Sequence, residues 1–516
     1  MSAVDGLERD GGVIAERPVP GTPRPYAFPS VATHRLANGL TILIADLPGR
    51  PLISASLIMH NGASDEPPGL GGATVLAARA LSEGTEHYDA MGLVEASERL
   101  GASLHAEAGW DAMSAGVDVP AARLPAALEL LAELVLRPTF PASEVERLRE
   151  ERLNDLLQAK ADPRRRAEEA FIDTIYAPES PYHRSAGGTR ETVERLGPSE
   201  LRTAYERGLD PARATLIVAG DVGATDVPAV VADLFGGWTR AAGATDGGAI
   251  DDTGRSGGRL IRVIHRPGSV QTEIRVGHAG LPRRIPDFHA VSVMSAILGG
   301  LFNSRLNMRL REEKGYTYGA GAGFDLRRGA GPFSARAAVN TDVTVPALQE
   351  MLGELSRMRD EPPTPAEVTA ARDYLIGVFP LRFETAGAVG GALGGLVVHG
   401  LTVEELVTYR ERIEAVDGAA IAAAARAHLH VDDAAIVLVG DADAFGADLE
   451  AAGLGPIVIE RDPADEAAAA GESVETPGPV DDDAEAGPTA GAEEPEVTGD
   501  DEPADPAGIA GEVGPD

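Results

Sequence analysis

The chain contains no cysteine among its 516 residues. That excludes a disulfide framework, a thiolate zinc ribbon and a thiol nucleophile. Basic residues are scarce, 45 Lys+Arg against 81 Asp+Glu, for a net charge of −36. A chain of this sign repels phosphate backbones, so no nucleic-acid partner is expected. Half of the net charge lies in residues 462–516, which hold 18 acidic residues, no basic residue and no aromatic. Such a segment cannot bury enough apolar surface to offset its ordering entropy, and an intrinsically disordered acidic tail is expected there. Long apolar runs are missing too. Residues 385–403 are uncharged, but six of the 19 are glycine, and acidic Glu384 and Glu404 flank them. A membrane span wants about 20 strongly apolar residues and a basic flank, so a buried helix packed through small residues is expected instead. The Gly- and Pro-rich arm 1–30 carries Asp5, Glu8 and Asp10 where a secretory leader needs positive charge. A cytoplasmic protein without membrane contact is the expectation.

What is present is enough core for more than one domain: 43% of the residues are hydrophobic. The chain also repeats itself. Residues 215–222 read TLIVAGDV, and residues 435–442, at an offset of 220, read AIVLVGDA. The same offset relates 197–210 to 417–430 and 127–136 to 347–356. Three matches in one register predict two tandem copies of one fold, spanning 31–235 and 259–461 and joined by a Gly/Asp-rich linker, 236–258. Within the first copy, Asn38-Gly39 marks a turn into an apolar strand, followed by a second strand at 53–60. Helices are predicted over 70–81 and 88–100, a strand pair over 103–119, and helices over 120–136, 141–161 and 164–176, with Pro163 breaking the long helix. The fold class is therefore α+β: two tandem two-layer α/β domains plus the acidic tail.

The order of several short landmarks resembles the pitrilysin/insulinase superfamily of zinc metallopeptidases, in the shorter form typified by mitochondrial processing peptidase. The first half carries LANGLTILI (36–44), Glu83-Gly84-Thr85, Arg137-Pro138-Thr139-Phe140, Ser180-Pro181-Tyr182-His183 and the closing VAGD (218–221). The second half carries SRLNMRLREEKGYTYG (304–319). The resemblance spans about residues 33–443 and implies the two-domain metallopeptidase fold.

Active members hold zinc with an inverted H-x-x-E-H motif just before the Gly-Thr pair. The two histidines, one turn apart, bind the metal and the glutamate activates its water. Counting back from Gly84-Thr85 puts those positions on Val75, Ala78 and Arg79, and the third ligand falls near Asp155. Two of these side chains have no donor atom and one is a permanent cation, so no metal is expected in this chain. Of the eleven histidines, only His428 and His430 are close in sequence, and they read as a surface or loop pair.

The family's C-terminal domain contributes an Arg and a Tyr that contact the peptide, and here those positions are Arg311 and Tyr318. Both can donate to a carbonyl that becomes an oxyanion; the alternative is a structural ion pair for Arg311 and a core role for Tyr318. Arg305 and Arg309, nearby, could assist or be merely solvated. Residues 103–109 fall where the family presents an edge strand to extended peptide. The resemblance implies a non-catalytic, substrate-binding subunit that completes the site of a homologous zinc-bearing partner, with zinc in that partner and an extended peptide as substrate. The alternatives are a purely structural, core-type subunit of the same fold, or an independent enzyme, for which no nucleophile–base pair or cofactor motif is found.

Overall fold

The computed structural model describes residues 25–461. The acidic segment 462–516 and most of the arm 1–30 lie outside the described residues. Two six-stranded sheets form the frame. The first is built from β1 (Val31–Arg35), β2 (Thr41–Asp46), β3 (Leu52–Met59), β4 (Ser103–Ala108), β5 (Met113–Pro120) and β6 (Ala214–Gly220), in the order β1-β2-β6-β3-β5-β4. The second uses β7 (Leu260–His265), β8 (Gln271–Ala279), β9 (Ala320–Phe324), β10 (Pro332–Asn340), β11 (Ala435–Gly440) and β12 (Ile457–Glu460), in the order β12-β7-β11-β8-β10-β9.

The five inner-to-edge strands correspond one for one, and so do their directions. β2 runs parallel to β6 as β7 runs parallel to β11; the remaining pairs on that side are antiparallel. The sheets differ at one margin, where β1 pairs antiparallel with β2 while β12 pairs parallel with β7. Helices follow the 220-residue offset as well: Pro198–Gly208 matches Gly418–His428, and Leu124–Leu136 starts where Thr344–Asp360 starts one offset later. The Asn38-Gly39 turn forms as predicted, with Gly39 at φ +96 and its amide donating to Leu36 O at 3.0 Å. A side chain there would also meet the Ala212 backbone at 2.9 Å.

Strands β6 and β11 are buried along their whole length, which requires cover on both faces. The cover comes from an exchange. The Ala386–Val398 helix of the second half packs on β3 and β6 of the first sheet, and the Pro163–Ile175 helix of the first half packs on β11 and β8 of the second. One core cluster accordingly joins Ile58 and Ile217 to Val389 and Leu393, and another joins Ala167 and Phe171 to Val437 and Val439.

The uncharged stretch 385–403 thus contains a helix, Ala386–Val398, packed through one face against a sheet. Gly394 faces Ile58 and Ile217, and a methyl there would sit 3.6 and 3.9 Å from their side chains. The 236–258 segment is irregular but anchored. Arg240 pairs with Asp210 and Asp246, Asp252 accepts from the Ala330 amide at 2.6 Å, and the Arg255 amide donates to Ile175 O.

Candidate functional site

Val75, Ala78 and Arg79 share the Ala73–Ala80 helix, which lies against the edge strand β4 and against the long Ala142–Ala161 helix that carries Asp155. The start of the short helix is fixed by Glu66. Its carboxylate accepts from the amides of Gly72 (3.1 Å) and Thr74 (2.7 Å) and pairs with Arg184 at 2.6 Å, a charge placed where a helix N-terminus favours an anion. Burial pushes the Glu66 carboxyl up, against the pull of Arg184 and the two amides. A capping carboxylate seven residues before the first helical residue is not legible in sequence, because the chain must first turn through Gly69 and Gly72, both at positive φ.

The side chains at the four degenerate positions do not compose a zinc site. Ala78 is buried and Val75 partly so, and neither has a donor. Arg79 reaches across to Glu151 of the long helix at 3.0 Å. Glu151 in turn accepts from Arg147 at 2.5 Å, and Arg147 also holds Glu83 and Glu144. Asp155 is clamped between Arg152 and Arg165, the latter at 2.7 Å. Arg152 is itself bonded to Gly187 O and Ser185. One arginine–carboxylate pair, Arg79–Glu151, links the motif helix to the long helix, Asp155 is already held by two arginines, and the residues present do not fit the metal.

Elsewhere, His428 and His430 do not act together. His428 ends a helix and bonds Asp287 at 2.7 Å, while the His430 amide donates to His278. Among the described residues one trio, His265, Asp441 and Asp443, could approach a single ion, and sequence reading missed it because 176 residues separate its histidine from the nearer aspartate. Its atoms are engaged already. His265 Nδ1 accepts from the Ala442 amide at 3.1 Å, Asp441 accepts from the Gly268 amide, and Asp443 pairs with Arg461.

Arg311 and Tyr318 flank the passage from the π-helical stretch Asn307–Glu313 into β9, the edge strand of the second sheet. The two halves thus present equivalent edges, β4 beside the degenerate motif and β9 after the Arg/Tyr pair. Tyr318 is 91% exposed; its phenol plays no part in the core. The loop beneath it is fixed by the Thr317 hydroxyl, which bonds Gly319 O and Ala338 O at 2.8 and 2.7 Å. Arg311 is partly exposed, with its guanidinium 4.6 Å from the centroid of the Phe302 ring and its Nε 3.5 Å from Glu312.

The neighbouring arginines differ. Arg305 makes a two-pronged pair with Glu367 at 2.6 and 3.1 Å, and Arg309 is held by Glu350 and Glu313, each at 2.7 Å. These two are structural. Phe302, 66% exposed beneath Arg311, is a contact that sequence reading did not identify. A π-helical turn and exposed aromatic are both frequent marks of functional surfaces.

This is a two-domain, metallopeptidase-like architecture, with the Ala73–Ala80 helix at one sheet edge and the Arg311/Tyr318 loop at the equivalent edge. The insulinase (peptidase family M16) model matches residues 41–186, and the peptidase M16 inactive-domain model matches residues 195–375. The chain belongs to the peptidase M16 family, within the pitrilysin/insulinase superfamily. It is 25% identical over 364 residues to an uncharacterized zinc protease of Mycobacterium leprae, covering 70% of this chain and 81% of that one. It is 20% identical to a protein of Helicobacter pylori described as a non-peptidase homolog, covering 72% and 84%. Among solved structures, a peptidase M16 inactive domain from Pseudomonas fluorescens superposes with a TM-score of 0.72 at 25% identity, over 80% of this chain and 98% of that chain. Among the described residues no helix is long and apolar enough to cross a membrane.

Proposed function

We propose that this chain is the non-catalytic, substrate-binding subunit of a heterodimeric zinc metallopeptidase. A homologous chain supplies the zinc and the general base, and this one supplies Arg311 and Tyr318 to an extended peptide. The observation that carries the proposal is a contrast within one chain. Val75 and Ala78 offer no metal donor, and Arg79 and Asp155 are held in arginine–carboxylate pairs, whereas among the described residues Arg311 and Tyr318 have no strong ion pair to occupy their donors.

In that role the chain binds and orients. The main chain of an edge strand accepts an extended peptide in a sequence-tolerant way. The Arg311 guanidinium and the Tyr318 hydroxyl donate hydrogen bonds to a peptide carbonyl, and they strengthen as that oxygen gains charge. Stacking on Phe302 narrows the rotamers open to Arg311, so less entropy is lost when it meets the peptide.

The test is to purify the chain alone and together with a homologue bearing intact H-x-x-E-H. Elemental analysis and peptide cleavage are then measured on each sample. The chain alone should carry no stoichiometric zinc and cleave nothing, and the mixture should cleave faster than the zinc-bearing chain by itself. A purely structural subunit would instead leave turnover unchanged on mixing, and tightly held zinc in the isolated chain would overturn both readings.

A further inference from the structure

A cavity of about 420 Å³ lies where the turn 283–286, entering the Phe288–Ser295 helix, meets the turn 400–403 after the Ala386–Val398 helix and the short helix Glu404–Val407. Three arginines line it, Arg283, Arg284 and Arg412, against one carboxylate, Glu405. Basic excess at one spot is unusual in a chain with a net charge of −36.

Arg283 is the informative residue. It is only 4% exposed, and among the described residues its guanidinium makes no hydrogen bond. Its carboxylate neighbour, Glu405, stands 3.9 Å away and bonds Arg412 instead at 2.9 Å. The guanidinium lies 3.4 Å from the centroid of the Phe288 ring. Stacking satisfies its face but leaves the N–H edges, which are the parts that grip oxyanions. Withdrawal from water is costly for such a group when its one carboxylate neighbour stands this far off, and burial pushes Arg283 down to about 10. Beside it, His289 Nε2 is buried without a hydrogen-bond partner among the described residues.

We propose that this cavity binds a small phosphate monoester, the phosphate held by Arg283 and Arg284. Three arginines less one glutamate leave two positive charges, which matches a phosphate of roughly −1.5 to −2. The volume is that of a small-molecule site and exceeds a bare oxyanion, and Ile285, Pro286 and Leu401 supply apolar wall for an organic body. Nothing in this assignment depends on the peptidase role, since the residues belong to neither the motif helix nor the Arg311 loop.

The experiment is isothermal titration of the full chain with phenyl phosphate, inorganic phosphate and benzoate at matched ionic strength. Phenyl phosphate should bind once per chain, about tenfold or more tighter than either of the others, the difference expected when charge-assisted contacts or the apolar body are lost. Arg284→Ala, an exposed position that leaves the core intact, should weaken it about tenfold. Arg283→Met should abolish it, and should that variant not fold, Arg412→Ala gives a second reading with the same direction. Absence of saturable binding at millimolar phenyl phosphate, unchanged affinity in Arg284→Ala, or benzoate binding as tightly would each overturn the proposal.

Discussion

At the scale of single residues, the degenerate motif is more than a set of missing ligands. Arg79–Glu151 and Arg165–Asp155 tie the motif helix and the Pro163–Ile175 helix to the long helix through charges that oppose a cation. Restoring only the motif, with Val75→His, Ala78→Glu and Arg79→His together, should therefore not produce stoichiometric zinc by elemental analysis. Asp155 stays neutralised by Arg152 and Arg165, and its side chain is a methylene shorter than glutamate.

A second residue-scale expectation concerns acid. Burial pushes the Glu367 carboxyl up, but the Arg305 fork and the Thr364 amide at 2.7 Å outweigh it and hold the group at about 2. Its folded value is below its ordinary 4.5, so its contribution is complete above about pH 4.5 and is lost as pH falls towards about 2. Urea midpoints across that window should fall less steeply in Glu367→Gln than in the parent; equal slopes would show that the pair does not couple to folding. The motif positions and the Arg311/Tyr318 pair were legible as expectations through the family resemblance, counted from fixed punctuation such as Gly84-Thr85. Phe302 was not, since its contact with Arg311 depends on how the chain folds between residues 300 and 304, which no local periodicity encodes.

At the scale of elements, strands and helices followed from alternation and from Pro and Gly punctuation, and their equivalence followed from the repeat. The pairing of helices with sheets did not. An amphipathic pattern says that a face is buried, not against which half of the chain, so the exchange of Pro163–Ile175 for Ala386–Val398 is visible only in the fold. The glycines of the Ala386–Val398 helix test that exchange. Gly391 is exposed with open space around it, so Gly391→Ala should raise stability by about 1 kcal/mol through helix propensity and the unfolded chain. Gly394 faces Ile58 and Ile217 of the other half, so Gly394→Leu should overpack the contact at a cost of about 1–3 kcal/mol. Gly391→Leu should be well tolerated. Equal stability of the two leucine variants, read from urea midpoints, would deny the packing of this helix on the first sheet.

At the scale of the whole molecule, the shared cores and a polar clasp make the halves interdependent. The turn after β9 reaches into the first half: Arg328 donates from its amide to Asp111 at 2.7 Å and from its side chain to Asp65 at 2.9 Å, while the Gly329 amide bonds the buried Tyr182 hydroxyl at 3.1 Å. Arg327, almost fully buried, stacks between Trp110 and Tyr182. Residues 31–235 and 259–461 expressed separately should each leave one sheet face bare and fail to fold, and the full chain should unfold in one transition. Two separate calorimetric transitions would contradict this.

The central claim, that this chain completes another subunit's active site, is tested most directly by the peptide turnover of the reconstituted pair carrying Arg311→Ala or Tyr318→Phe, with assembly followed separately by gel filtration. Tyr318 is exposed and Arg311 partly so, neither belonging to the core, so stability and assembly should stay as they are. Loss of one donor to a developing oxyanion costs about 3 kcal/mol, so turnover should fall about a hundredfold. Turnover equal to the parent in both variants, with the complex intact, would contradict the claim.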